Sequence, residues 1–219
     1  MRHFDRDIEQ LKELLLRMGA MVEDAMSDSI RALLERDTAL AERIIASDSE
    51  VDQMELEIDQ HTVELIAKMQ PAAVDLRFVT TTMKITPELE RIADLAVDVC
   101  ERAIELNREP PLKPLIDIPR LARIAQEMVR QSLDAFVRRD AGLAREVIAR
   151  DDEVDRLTEQ SFRELLTYML EDSRNISRAI RLTFIGKYFE RIADGATNIC
   201  EMVVYLVEGK VIKHSNESA

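Results

Sequence analysis

The chain has 219 residues, 46% of them hydrophobic, but only 5 Gly, 6 Pro and 4% aromatic residues. This composition suits long helices with one or two compact cores and disfavours a large sheet. The formal net charge of −13 argues against nucleic acid as a partner and against charge-driven binding to an anionic membrane, because both need a basic surface.

The first helix is expected over roughly 4–35, where Ile8, Leu11, Leu15, Met18, Val22 and Met26 recur at helical spacing. Asp37 is a candidate N-cap for the second helix, which Pro71 should end. The third helix is expected over roughly 73–107, with Pro87 kinking it. Pro110, Pro111, Pro114 and Pro119 mark a linker near the midpoint.

Beyond the linker the pattern returns. Asp140 is the second candidate cap, Glu171-Asp172-Ser173 the second break, and a last helix follows over roughly 174–208. Asp37-Thr-Ala-Leu-Ala-Glu-Arg-Ile-Ile-Ala-Ser-Asp48-Ser-Glu-Val-Asp52 reads against Asp140-Ala-Gly-Leu-Ala-Arg-Glu-Val-Ile-Ala-Arg-Asp151-Asp-Glu-Val-Asp155 at an offset of 103 residues. Glu90-Arg-Ile-Ala-Asp94 reads against Glu190-Arg-Ile-Ala-Asp194 at an offset of 100. Two matches in the same order indicate an internal duplication. The expected architecture is all-α: six long helices in two pseudo-symmetric three-helix bundles, over 1–109 and 120–210. The Pro-rich linker covers 110–119, and the tail 211–219 is polar and expected to fray.

No stretch of about 18 apolar residues spans a membrane and the N-terminus has no apolar signal region, so the cytoplasm is the expected compartment. Cys100 and Cys200 are too few for a disulfide framework and sit among apolar helix positions, as buried free thiols do.

The informative residues are acidic pairs spaced i, i+4: Asp48/Asp52, Glu90/Asp94, Asp151/Asp155 and Glu190/Asp194. Like charges at this spacing cost a helix a few tenths of a kcal/mol per pair, roughly, and the cost recurs in both halves. If the hairpins turn at Pro71 and at Asp172–Ser173, each half sets four carboxylates at one height on two neighbouring helices. A hard cation would relieve the repulsion. The competing explanation is that Arg and Lys balance these acids, or that they line a solvated groove.

A carboxylate-bridged metalloenzyme is the alternative use of such a bundle. Ferritin-like sites place His three residues after Glu, and here Ala93 and Ala193 stand there. His61 lies away from the quartets, and His3 and His214 are terminal. No phosphate loop or nucleophile pair occurs, so catalysis is not expected.

The duplicated Glu-Arg-Ile-Ala-Asp motif, each copy preceded by Asp-x-Glu-Val-Asp, and Asp75-Leu-Arg77-Phe ahead of the first copy resemble the PhoU family of phosphate-signalling proteins over about residues 4–210. The resemblance implies metal ions (Fe, Mn, Mg, Zn or Ca) held by Asp48, Asp52, Glu90 and Asp94, and by Asp151, Asp155, Glu190 and Asp194. Asp98 and Asn198, four residues after the motif's last acid, join these sets. It also implies a homodimer that acts with components of the Pst phosphate transporter and a PhoR-type histidine kinase, reaching the membrane only through them. Such a protein keeps the phosphate-starvation response off when phosphate is plentiful. Two departures stand out: the family often has His directly after the motif's Asp, where this chain has Leu95 and Gly195, and Asp98 replaces the usual Asn.

Overall fold

The computed structural model describes residues 3–212. The terminal stretches, including the tail expected to fray from 213 onward and His214, lie outside the described residues. The helices are α1 (His3–Glu35), α2 (Thr38–Met69), α3 (Ala73–Leu106), α4 (Asp117–Arg138), α5 (Ala141–Ile148), α6 (Asp151–Glu171) and α7 (Ile176–Glu208). α3 packs on α1 and α2, while α7 packs on α4, α5 and α6. The two bundles meet through α3 against α7 and α1 against α4.

The turns repeat as the sequence does. Arg36 and Arg139 both adopt positive φ (57° and 53°), a left-handed backbone that ends a helix. The next amide closes the turn in each: Asp37 N–H donates to the Ala32 carbonyl and Asp140 N–H to the Ala135 carbonyl, both at 2.9 Å. The Asp37 and Asp140 carboxylates then accept from the Leu40 and Leu143 amides at 2.9 and 3.0 Å. Both capping expectations hold. Repetition extends to packing: from residue 82 to 100 in α3 and from 182 to 200 in α7, buried, half-buried and exposed positions follow the same order.

Three local features refine the expected elements. The fifth expected helix is interrupted at Ala149–Arg150 and runs as α5 and α6. Arg150 is drawn toward α4, donating to Glu127 at 2.8 Å and Gln131 at 3.0 Å. Asp151, Asp152 and Glu153 then fill the first turn of α6, where negative charge favours a helix start. α3 continues unbroken through Pro87. Pro119 stands in the first turn of α4, where proline costs little. The connection ahead of α4 is fastened: Arg181 donates to Glu105 (2.7 Å) and Glu109 (3.0 Å), Arg178 to the Pro110 carbonyl (2.9 Å), and Lys113 pairs with Glu164.

One apolar core runs through both bundles, from Leu11 and Met18 in α1 through Ile85 and Ile92 in α3 to Phe136 in α4 and Ile192 in α7. Phe78 stacks on Phe136 across the bundles with ring centroids 5.0 Å apart. Arg77, beside it, donates to the Leu206 carbonyl at 3.4 Å and lies over the Tyr205 ring. Both cysteines are buried and free, and desolvation pushes their thiols up to about 12.

A shared core should unfold in one step. Phe136→Ala is expected to lower stability by about 3–5 kcal/mol and to shift a single denaturant transition without splitting it. Two separate transitions in wild type or variant would show that the bundles unfold independently.

Candidate functional site: two carboxylate clusters

Each hairpin gathers its acids. In the first bundle Asp48 is pushed above the usual carboxylate range by desolvation and then by Asp94, its counterpart across the hairpin. Glu90 is raised to about 7, by desolvation and then by Asp94, Glu55, Asp52 and Asp48. Asp48 also borders a cavity of about 200 Å³ that adds Asp24 and Asp28 of α1 and Glu50. In the second bundle Asp151 is raised to about 6, by desolvation and then by Asp194, and Asp155 is raised by desolvation and then by Glu190. Asp194 is raised chiefly by desolvation, with Glu190 and Asp155 adding to it. Placement follows from the turns: α2 reverses at Gln70–Ala72 and α6 at Asp172, so Asp48 meets Asp94 and Asp151 meets Asp194.

The clusters differ in one neighbour. Lys187 binds both oxygens of Glu190 at 2.7 and 2.9 Å. The equivalent residue in α3 is Pro87, which carries no charge, and the charges acting on Glu90 are all carboxylates. The competing explanation, balance by a basic side chain, therefore holds in part for the second cluster. Lys187 was legible as an i, i+3 partner of Glu190, and Glu55 as one more acid three residues after Asp52.

Asp98 and Asn198 reach toward the seam between the bundles, Asp98 while still feeling Asp94 of the first cluster. The Asn198 amide donates to Glu88 at 3.3 Å across the α3–α7 seam. Asp98 lies within reach of Tyr188, the residue equivalent to Glu88, and raises its pKa after desolvation. Asp98 itself is raised by desolvation and Glu101 and lowered by Arg102. Both residues thus serve the junction between bundles more than the quartets. Gly195 has a steric reason: a Cβ there would stand 3.1 Å from the Ile92 side chain, so glycine lets α7 approach α3. His61 is apart from both clusters, 3.4 Å from the Asp7 carbonyl.

All-oxygen donors and uncompensated negative charge fit a hard divalent cation in ligand type and sign. As the side chains stand, no group of three acidic, His or Cys residues among the described residues is arranged to hold an ion. Ligation would require the carboxylates to swing inward. Among the described residues, no helix is long and apolar enough to cross a membrane.

The pH consequence for metal-free protein has a definite sign. Glu90 binds its proton more tightly in the folded state than at its ordinary 4.5. Its contribution to stability is therefore greatest below about 4.5 and is lost as pH rises toward 7. Asp151 acts in the same direction between 3.8 and about 6. Glu90→Gln should raise the melting temperature of chelator-treated protein at pH 8 and change it little at pH 5. Equal shifts at both pH values would show that Glu90 carries no strained charge.

Comparison with known proteins agrees with this architecture. The PhoU domain family matches residues 15–103 and 118–203, one copy per bundle. The chain is similar to the phosphate-specific transport system accessory protein PhoU homolog of Aquifex aeolicus, at 42% identity over 211 residues covering 96% of each chain. It is 39% identical to the PhoU accessory protein of Escherichia coli, over 96% of this chain and 88% of that one. Among solved structures, PhoU from Pseudomonas aeruginosa superposes with a TM-score of 0.91 at 40% identity, over 95% of this chain and 100% of that one. The phosphate transport system regulatory protein PhoU from Streptococcus pneumoniae gives 0.88 at 26% identity, over 96% and 99%. The Aquifex aeolicus and Escherichia coli relatives are named as accessory proteins and the Streptococcus pneumoniae one as a regulatory protein, none of the three as an enzyme. A duplicated helical bundle with an acidic cluster in each half, matched by the family over both halves, belongs to the PhoU family.

Proposed function

We propose that this protein is a non-catalytic regulator of phosphate uptake, linking the Pst phosphate transporter to a PhoR-type histidine kinase and keeping the phosphate-starvation response off when phosphate is plentiful. The observation that carries the reading is similarity to phosphate transport accessory proteins along nearly the whole chain, in both repeats. Among the described residues no His, Lys or Tyr stands beside the carboxylates in both clusters alike, Lys187 serving the second only, which fits an adaptor better than an enzyme. The protein works in the cytoplasm as a homodimer and meets the membrane through its partners.

Metal binding is part of the proposal. Asp48, Asp52, Glu90 and Asp94 would hold an ion in the first bundle, and Asp151, Asp155, Glu190 and Asp194 one in the second. The uncompensated carboxylates around Glu90 support the first site more strongly, because Lys187 already engages Glu190 in the second.

Two experiments test this. Deleting the gene should derepress phosphate-starvation genes in high phosphate, and unchanged expression would contradict the regulatory reading. Elemental analysis after incubation with Mn²⁺, Fe²⁺, Zn²⁺ and Mg²⁺ should find metal in both halves, with Glu90→Ala/Asp94→Ala emptying only the first. Metal at a hundredfold excess over its dissociation constant should stabilise the fold by about 2.7 kcal/mol per site. A metal-free protein whose melting ignores chelator would end the metal proposal.

A further inference from the structure

A cavity of about 560 Å³ opens at the seam between α3 and the last turns of α7. Thr81, Lys84 and Pro87 of α3 line it, with Glu201, Met202 and Tyr205 of α7. Spacings of three and four residues put each set on one helix face. Gly209 then ends α7 in left-handed backbone, with a φ of 71°, and Val211 and Ile212 complete the wall. The volume lies in the range of small-molecule sites, and apolar walls carrying a few polar groups are their usual lining.

The polar groups of the cavity are not satisfied by the fold. Thr81 is 1% exposed, yet its hydroxyl makes no hydrogen bond among the described residues. On the same helix Thr80, Thr82 and Thr86 each donate to a carbonyl three or four residues back, at 3.2, 3.1 and 2.9 Å. Buried polar groups are nearly always paired, so an unpaired one lining a cavity points to a partner from outside. Lys84 and Arg77 both lie over the Tyr205 ring, 5.7 and 5.8 Å from its centroid. Neither forms an ion pair among the described residues, and two neighbouring cations without a counter-charge attract an anion.

The duplication supplies an internal control. At an offset of 100 residues Thr81 corresponds to Arg181, Tyr205 to Glu105 and Met202 to Arg102. There Arg181 donates across the seam to Glu105 at 2.7 Å, and Arg102 pairs with Glu105 at 2.9 Å and with Glu101 at 3.2 Å. One crossing of the seam is tied by ion pairs, and the other holds a cavity and an unpaired threonine. The same fold tolerates charged bridges at this place, so packing does not dictate the open form.

We infer that the α3–α7 cavity binds a small apolar monocarboxylate, its body against Met202, Pro87 and Ile212 and its carboxylate at Lys84 and Thr81. Residues three apart are neighbours on a helix surface, so one carboxylate can meet the ammonium and the hydroxyl together. Glu201 limits the charge of the ligand. A dianion such as inorganic phosphate would face that acid, and the apolar wall would leave its remaining oxygens without partners. None of the lining residues belongs to either carboxylate quartet, so the site stands apart from the metal proposal and from the regulatory one.

The test adds octanoate and 1-naphthoate to the full chain and follows binding by titration calorimetry. At least one of these acids should bind at a single site, and its neutral counterpart, octan-1-ol or 1-naphthol, should bind at least tenfold more weakly. Lys84→Gln, at an exposed position, should cost the acid at least tenfold in affinity. Met202→Arg installs the side chain found at the equivalent place in the other half and should abolish binding, with circular dichroism confirming that both variants fold. Failure of both acids to bind overturns the inference. So does equal binding by Lys84→Gln or by folded Met202→Arg, or displacement of the acid by inorganic phosphate at equal concentration. A dimer that Met202→Arg converts to monomer assigns the cavity to a second copy and overturns the inference as well.

Discussion

The packing of α3 against α7 is the contact on which the rest of the molecule depends. Each is the inner helix of its own bundle, and together they bring the two bundles into one apolar core. Burial of side chains such as Ile92 and Ile192, both fully covered, supplies about 1.5–3 kcal/mol apiece before entropy is counted. A seam this close demands small residues where backbones converge, and Gly195 against Ile92 meets that demand. Motif positions that look like ligand positions in the sequence are shared with this seam, as Asn198 donating to Glu88 illustrates.

Because α3 and α7 are committed to each other on one side, their acidic stripes face outward to α2 and α6. That division puts both carboxylate clusters at the rims of the bundles, where each carboxylate is half-buried or exposed. Partial desolvation and mutual repulsion together hold Glu90 and Asp151 well above ordinary carboxylates. The fold thus stores unfavourable charge at two equivalent places, and a cation from solution is one way to relieve it.

The duplication is not a plain copy. Lys187 against Pro87 compensates one cluster in part and leaves the other open. Exposed Phe162 and Phe184 stand where the first bundle has Asp59 and Lys84. Positions that set the turns, such as Arg36 with Arg139 and Asp37 with Asp140, stayed alike because backbone geometry constrains them. Surface positions were free to diverge, and their differences carry the information about function.

Helical periodicity, the two Asp caps, the breaks at Pro71 and Asp172 and the repeat were all legible in the sequence, because each is local or follows from counting residues away from a turn. The pairing of Asp48 with Asp94 and of Asp151 with Asp194 belongs with these: two rigid helices joined by a short turn leave one register. Other features depended on elements far apart in the chain. The interruption at Ala149–Arg150 depends on Glu127 and Gln131 of α4, and the place of Asp98 and Asn198 on the seam depends on how the bundles meet. Whether there would be one core or two was equally hidden, since an apolar face on a helix does not say which neighbour will cover it. Sequence alone determined the elements and their local register; only the tertiary structure decided which faces were left over, because that depends on which surfaces the two bundles use to bury each other.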